Sequence, residues 1–203
     1  LGSQLSRDGD SYPVSRNTTY EQWKKMQDAK YGAGTVDKMR KMGYNESADR
    51  EQFERYKGWL GSNAPKTFEA FQRLKYSDDW HSFKAYTRSI KVGELTPLAN
   101  FELYNKISAD INNTLAGMVA SNGITVTGKS DHFIARIIGS VEQRRSGVAV
   151  TEVLDTITHP AKVDPIQTNA NGRSQRFKGK TCYVTINPDT GVLIQTNPHK
   201  GEK

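Results

Sequence analysis

His132 and Arg136 stand four residues apart in the run Asp131-His132-Phe133-Ile134-Ala135-Arg136-Ile137-Ile138. On a helix that spacing puts both on one face, while Phe133, Ile134, Ile137 and Ile138 pack elsewhere. A histidine exchanges a proton near neutral pH and a guanidinium holds phosphate in a bidentate fork, so the two serving one ligand would suit phosphodiester cleavage. A surface histidine beside a solvated arginine has the same spacing. A second cationic group, Arg173, Arg176, Lys178 and Lys180, crowds into eight residues on a predicted strand and its turn. The two-residue period of a strand places Arg176 and Lys178 on one face. Such a strand can cradle an RNA backbone, or it can be an edge strand whose charge discourages pairing with other chains. His159, just before Pro160, is a second candidate base and equally a helix C-terminal residue interacting with the dipole.

Other chemistries find no support in the residues. The histidines His81, His132, His159 and His199 are scattered, and none has a His or Cys partner at a helical ligand spacing, so neither a metal nor another cofactor is expected. Asp78-Asp79 reads as complementation of a helix dipole, not as a paired-carboxylate site. There is no glycine-rich phosphate loop ahead of a helix, no nucleophile elbow, and no aromatic pair of the kind an RNA-recognition sheet displays. The lone Cys182 excludes an internal disulfide and a cysteine-rich zinc site.

The elements that must position these residues follow from periodicity. From Thr19 to about Gly123 the pattern is helical, with short aromatic and charged segments punctuated by glycine and proline. The clearest helix carries the stripe Phe101, Tyr104, Ile107, Ile111, Leu115 and Met118, with Asn122-Gly123 as its stop. Beyond it the grammar changes. Ile124 to Thr127 alternate like a short strand, Ser130 to Ile138 form a helix ended by Gly139, and Val150 to Ile157 form another that must stop before Pro160. Four predicted strands follow: Lys162 to Gln167, Arg173 to Lys178, Thr181 to Asn187 and Val192 to Asn197. Two helices on one face of an antiparallel four-stranded meander make an α+β domain. In its last strand Val192 and Ile194 are expected to face the helices, which puts Thr196 formally on their side and Gln195 and Asn197 on the open face. Pro198 ends that strand.

Composition bounds the whole. With 203 residues, 35% of them hydrophobic and 25% charged, the chain predicts two modest lobes in place of one large core. Residues 1–120 carry 18 basic and 15 acidic side chains, against 11 and 7 in residues 121–203, so the excess is concentrated C-terminally and favours a polyanionic partner there. No run approaches the roughly 18 apolar residues of a membrane span, and no apolar secretory segment occurs near the start. A soluble protein without membrane contact is the expectation. Leu1-Gly2-Ser3 reads as a cloning scar and the polar residues up to 18 as a linker. The expected division is then a linker at 1–18, an all-helical lobe at 19–120 and a terminal domain at 121–203.

Several segments together resemble a known family. They are Asp131-His132-Phe133-Ile134-Ala135-Arg136-Ile137-Ile138-Gly139, Gly147-Val148, Pro160 with Val163, then Gly172, Ser174, Arg176-Phe177 and Gly179, and the run from Val184 to Pro198. Over about residues 121–199 the pattern is similar to the polymorphic-toxin nuclease domain at the C-terminal end of phage and prophage minor head proteins of Gram-positive bacteria. The helical stretch with Tyr20-Glu21-Gln22-Trp23, Arg55-Tyr56-Lys57 and Asn63-Ala64-Pro65-Lys66 resembles the segment that precedes this domain in such proteins.

The resemblance implies the barnase, EndoU, colicin and RelE-like ribonuclease fold. It also implies a metal-independent endoribonuclease in which the substrate's own 2'-OH attacks phosphorus and leaves a 2',3'-cyclic phosphate. By motif, His132 would be the acid or base, Arg136 and Arg176 would carry transition-state charge, and Thr196 would hydrogen-bond the phosphate or the 2'-OH. Lys178, Gln195 and Asn197 would position the strand. Further expectations are an RNA substrate, transfer RNA among the candidates, a cognate immunity protein, contact with phage head components, and a location in the virion or the bacterial cytoplasm. The rival expectation is a virion structural or partner-binding module with a catalytically inactive nuclease-like fold.

Overall fold

The computed structural model describes residues 18–199 of the chain. The expected scar and nearly all of the linker lie outside the described residues. Within them the chain forms eight α-helices and a mixed six-stranded sheet, an α+β architecture. It divides into two compact units at Thr87/Arg88. No described helix is long and apolar enough to cross a membrane.

The first unit is helical. It holds α1 (Tyr20–Tyr31), α2 (Thr35–Lys41), α3 (Glu46–Leu60), α4 (Phe68–Lys75) and most of α5 (Trp80–Lys91). Three helices start on side chains that satisfy otherwise orphaned backbone donors: Thr19, Asn45 and Thr67 accept from the N–H groups of Gln22, Ala48 and Ala70. Phe53, Tyr56, Phe71, Trp80 and Phe83 form one aromatic cluster, with Tyr56 stacked on Phe83 at 5.4 Å between centroids. The buried carboxylate of Asp49 is neutralised by Lys75 and accepts a 2.6 Å hydrogen bond from the Tyr76 hydroxyl. Burial pushes that hydroxyl well above the usual phenol range, so it stays a donor.

The second unit contains α6 (Phe101–Leu115), α7 (Asp131–Ile138), α8 (Val150–Thr158) and the strands β1 (Gly128–Lys129), β2 (Lys162–Val163), β3 (Gln167–Asn169), β4 (Gly172–Lys178), β5 (Cys182–Ile186) and β6 (Val192–Pro198). The sheet order is β1-β6-β5-β4-β2, with β3 also pairing with β4. The β4-β5-β6 meander is antiparallel, as its turns require. Phe177, Cys182, Val184, Ile186, Leu193 and Thr196 are all buried, and α7 packs against β6 while α8 packs against β5 and β4. In turn α6 lies on α7 and α8, burying Tyr104, Ile111 and Leu115.

Four expectations are corrected here. The boundary at 120 moves back to Thr87/Arg88, because the apolar stripe of α6 is covered by the helices of the second unit. That helix ends at Leu115 and does not reach Asn122-Gly123: Gly117 adopts a positive φ of 80°, and the chain doubles back with Gly117 N–H donating to Val126 O and Ala120 N–H to Ile124 O. The strand foreseen at 124–127 forms at Gly128–Lys129 and runs parallel to β6, so the sheet is mixed and not purely antiparallel. The single strand foreseen at 162–167 is split in two around Pro165, which has no N–H to give the ladder.

The β5-β6 turn is pinned against the segment before β1. Gly191 has φ +76°, and a Cβ there would stand 2.0 Å from Thr125 O. Thr127 N–H donates to Gly191 O and the Thr127 hydroxyl to Thr190 O. Gly191→Ala is expected to destabilise the second unit by about 2–4 kcal/mol, combining a disfavoured backbone with a clash against main chain. Urea unfolding followed by a probe within that unit measures it.

Candidate functional site

The side chains available for chemistry are sorted by one irregularity in β6. Thr185 pairs with Gln195 but its neighbour Ile186 pairs with Leu193, so Ile194 is an extra residue, a β-bulge. Leu193 therefore points into the helical layer, and after the bulge Thr196, opposite Val184, points in as well. Gln195 and Asn197 fall on the open face with Thr185 and Tyr183, their register partners. The expectation that Val192 and Ile194 face the helices is corrected by this bulge, while Gln195 and Asn197 lie where they were foreseen.

The same bulge positions α7. The Ser130 hydroxyl donates to Ile194 O at 2.8 Å and accepts from the Phe133 N–H at 3.1 Å, so one oxygen caps the helix and ties its start to the bulged strand. Ser130 N–H also donates to Leu193 O. In the first turn of α7, His132 places Nδ1 2.6 Å from Glu94 Oε1. A carboxylate there accepts from Nδ1–H and leaves Nε2 as the nitrogen free to exchange a proton. One turn further on, Arg136 Nη1 donates to Asn197 Oδ1 at 2.9 Å. Arg145 joins this group through Nη2, which donates to the backbone carbonyl of Glu94 at 2.8 Å. Burial first, then the nearby charge of Arg136, depress the Arg145 guanidinium.

On the open face the register aligns Lys178, Tyr183 and Asn197 in one row across three strands, and Arg176, Thr185 and Gln195 in the next. The Arg176 guanidinium lies 4.9 Å from the centre of the Tyr183 ring, and Lys178 Nζ lies 6.0 Å from it. His199, just past β6, packs its ring 4.1 Å from that of Tyr183 and places Nε2 2.6 Å from Gly179 O. The carbonyl can only accept, so Nε2 carries the proton and Nδ1 is the basic nitrogen. Arg176, Gln195, Thr185, Ser174, Gln167 and Asp164 line a polar cavity of about 280 Å³. Arg176 Nε donates to Asp164 Oδ2 at 2.8 Å, and this guanidinium holds the Asp164 carboxyl below the usual carboxylate range.

Of the seven residues singled out from sequence, Arg136 and Asn197 are hydrogen-bonded to each other, and His132 stands one turn before Arg136 on α7. Arg176, Lys178 and Gln195 stand on the same open face as Asn197. Thr196 is the exception: it is 1% exposed and its hydroxyl donates to Tyr183 O at 2.8 Å, so it supports the strand that carries Tyr183 and is turned away from any ligand on the open face. His159, the second candidate base, lies at the end of α8 with Nδ1 3.6 Å from Asp155, as a helix C-terminal histidine would. Cys182 is buried against Thr156, and burial pushes its thiol up, which makes it a packing residue. Tyr183, His199, Glu94 and Arg145 were missed. Tyr183 and His199 are sixteen positions apart and meet only through the meander. Glu94 sits in the loop before α6 and Arg145 in the loop after α7, where no periodicity points at them.

Among the described residues no group of three His, Cys, Asp or Glu side chains is gathered to hold a metal ion. Comparison with protein families, with curated proteins and with solved structures finds no match to this chain.

Two outcomes follow from these contacts. Ser130→Ala should cost about 1 kcal/mol of stability through the lost cap, and should broaden the amide resonances of both α7 and residues 193–196; a change confined to α7 would disprove the coupling to the bulge. Asp164 should titrate below the usual carboxylate range in a carboxyl-detected NMR titration and move back up in Arg176→Gln. With a depressed value in the folded state, the pair's contribution to stability is present above about pH 4 and is lost as the pH falls through the lowered value.

Proposed function

We propose that the second unit is an endoribonuclease that needs no metal and cleaves RNA through the substrate's own 2'-OH. The observation that carries this reading is Arg136, one turn beyond His132 on α7, donating to Asn197, whose register partner Tyr183 packs its ring on the imidazole of His199, with Arg176 and Lys178 beside that ring. Such a surface offers the parts the reaction requires. One imidazole takes the proton from the 2'-OH as O2' bonds to phosphorus, and the other gives a proton to O5' as the P–O5' bond breaks. His132 would exchange its proton through Nε2 and His199 through Nδ1. Arg136 and Arg176 would meet the charge that grows on the non-bridging oxygens. The Tyr183 ring suits stacking of a base, and Lys178, Gln195 and Asn197 would hold the strand. The barnase-like arrangement, with helices on one face of an antiparallel meander and chemistry on the other, belongs to the same reading.

The sequence resemblance adds the setting: a toxin carried by a phage or prophage head protein, located in the phage virion or the bacterial cytoplasm, with phage head components as neighbours. A toxin also calls for a cognate immunity protein, and one with an acidic face would complement Arg176, Lys178 and their neighbours. The rival reading, a virion module with an inactive nuclease-like fold, draws on Asp164, which already occupies Arg176 Nε.

The test is incubation of the purified chain with total bacterial RNA in EDTA, beside His132→Ala and His199→Ala, with fragment ends mapped. The expected outcome is discrete products ending in 2',3'-cyclic phosphate, with turnover reduced about 10²-fold or more in each variant while RNA is still retained. Intact RNA across a broad pH range and in added magnesium would favour the virion module. Binding that is salt-sensitive, without products, would identify an RNA-binding surface.

A further inference from the structure

The open face of the sheet carries a second concavity beside the polar one that Arg176 lines. It has a volume of about 440 Å³ and shares Ser174, Thr185 and Gln195 with the first, so the two adjoin along those residues. Asn187, at the end of β5, reaches into it, and Val192 and Ile194 supply its apolar lining. These two side chains have no place in the core: they stand on either side of the inaccessible Leu193 and are themselves only half-buried. The bulge also makes Ile194 and Gln195 successive residues on one face, so an aliphatic side chain and an amide stand side by side.

The polar groups of this concavity are unspent. The side chains of Ser174, Thr185 and Gln195 make no hydrogen bond among the described residues, and all three keep accessible surface. Asn187 Oδ1 accepts from the N–H groups of Asp189 and Thr190, which leaves Nδ2 as a donor. The cations at the rim are already paired, Arg173 with Asp189 at 3.2 Å and Arg176 with Asp164 at 2.8 Å. The groove therefore offers uncharged chemistry: an amide with a donor and an acceptor, two hydroxyls that serve as either, one further donor and two aliphatic side chains. A flat, neutral ligand with an apolar face and with donors and acceptors along one edge fits that set, and a nucleobase is such a ligand.

The position of the groove agrees with this. The Arg176 guanidinium lies 4.9 Å from the centre of the Tyr183 ring and also lines the adjoining concavity. Tyr183 shares a row with Asn197, and Thr185 shares the next row with Gln195. A strand whose scissile phosphate meets Arg176 then has one base on the Tyr183 ring and the neighbouring base in the groove.

We infer that the groove lined by Ser174, Thr185, Asn187, Val192, Ile194 and Gln195 is a base-recognition subsite, which takes a nucleobase next to the scissile phosphate and selects it by its hydrogen-bonding edge. That the base belongs to a cleaved RNA strand rests on the ribonuclease reading; the cavity and its unspent groups do not. Gln195 is thereby a specificity-determining residue.

The experiment is a titration of the full chain with adenosine, guanosine, cytidine and uridine in turn, followed by NMR through the Gln195 side-chain amide and the Ile194 methyl resonances. Ribose 5-phosphate, which lacks a base, is the control. The expected result is a saturable shift of both signals with at least one nucleoside and none with ribose 5-phosphate. Affinity for that nucleoside, read from the Ile194 methyls, should fall about three- to tenfold in Gln195→Ala and in Ser174→Ala, as loss of one hydrogen bond requires. Neither substitution removes a hydrogen bond that the fold uses, and the wild-type shift is read without any substitution. On total bacterial RNA the wild type should cut beside a preferred base, and Gln195→Ala should cut with that preference reduced. No saturable shift with any nucleoside, or an equal shift with ribose 5-phosphate, overturns the subsite. Equal affinity in the wild type and both variants does the same, and a base preference that survives unchanged in Gln195→Ala overturns selection by this groove. Cleavage without nucleoside binding sinks the subsite and leaves the nuclease standing, whereas nucleoside binding without cleavage does the reverse.

Discussion

The extra residue in β6 is the constraint on which the second unit turns. A strand that alternates strictly from a buried Leu193 would send Gln195 and Asn197 into the helical layer and Thr196 to the surface. Insertion of Ile194 reverses this parity midway. An apolar residue can then anchor the first half of the strand while two amides reach the open face in the second. The bulge also releases the carbonyl of Ile194 from the ladder, and that carbonyl accepts the Ser130 hydroxyl that caps α7. A local defect in pairing thus sets both the strand side of the site and the helix that faces it.

Burial on the other side of the sheet makes this precision possible. Phe177, Val184, Ile186 and Leu193 are all inaccessible, and they pack on α7 and α8 while α6 covers both helices. A packed interior of this kind deforms little, so side chains on the opposite face inherit fixed positions. Tyr183 is a case in point. Its carbonyl is held by the buried Thr196 hydroxyl, its ring is flanked by His199, and the two cations of β4 lie over it. Thr196 thus affects the open face without touching anything that lands there.

The distribution of charge is uneven at short range. Arg176 and His132 each face a carboxylate, Asp164 and Glu94, whereas Arg136 and Arg145 form no ion pair among the described residues. The first arrangement orients a side chain and moderates its charge. The second leaves an N–H of each guanidinium without an acceptor.

Reading the residues alone recovered the helix that ends at Ile138 with its glycine stop, the helix that begins at Val150, the three antiparallel strands of the meander, the shared face of Arg176 and Lys178, and the open-face position of Gln195 and Asn197. These are products of local grammar: capping chemistry, turn residues and the two periods of helix and strand, each legible within a few positions. The pairing of β1 with β6, the end of α6 at Leu115, the unit to which α6 belongs and the bulge that turns Val192 and Ile194 away from the helices were not legible, and neither was the meeting of Tyr183 with His199. Each of those depends on segments far apart in the chain competing for the same space and the same hydrogen-bonding groups. Contacts of that kind carry no periodic signature, because nothing in the order of residues along the chain records which distant carbonyl a hydroxyl will find when the core closes.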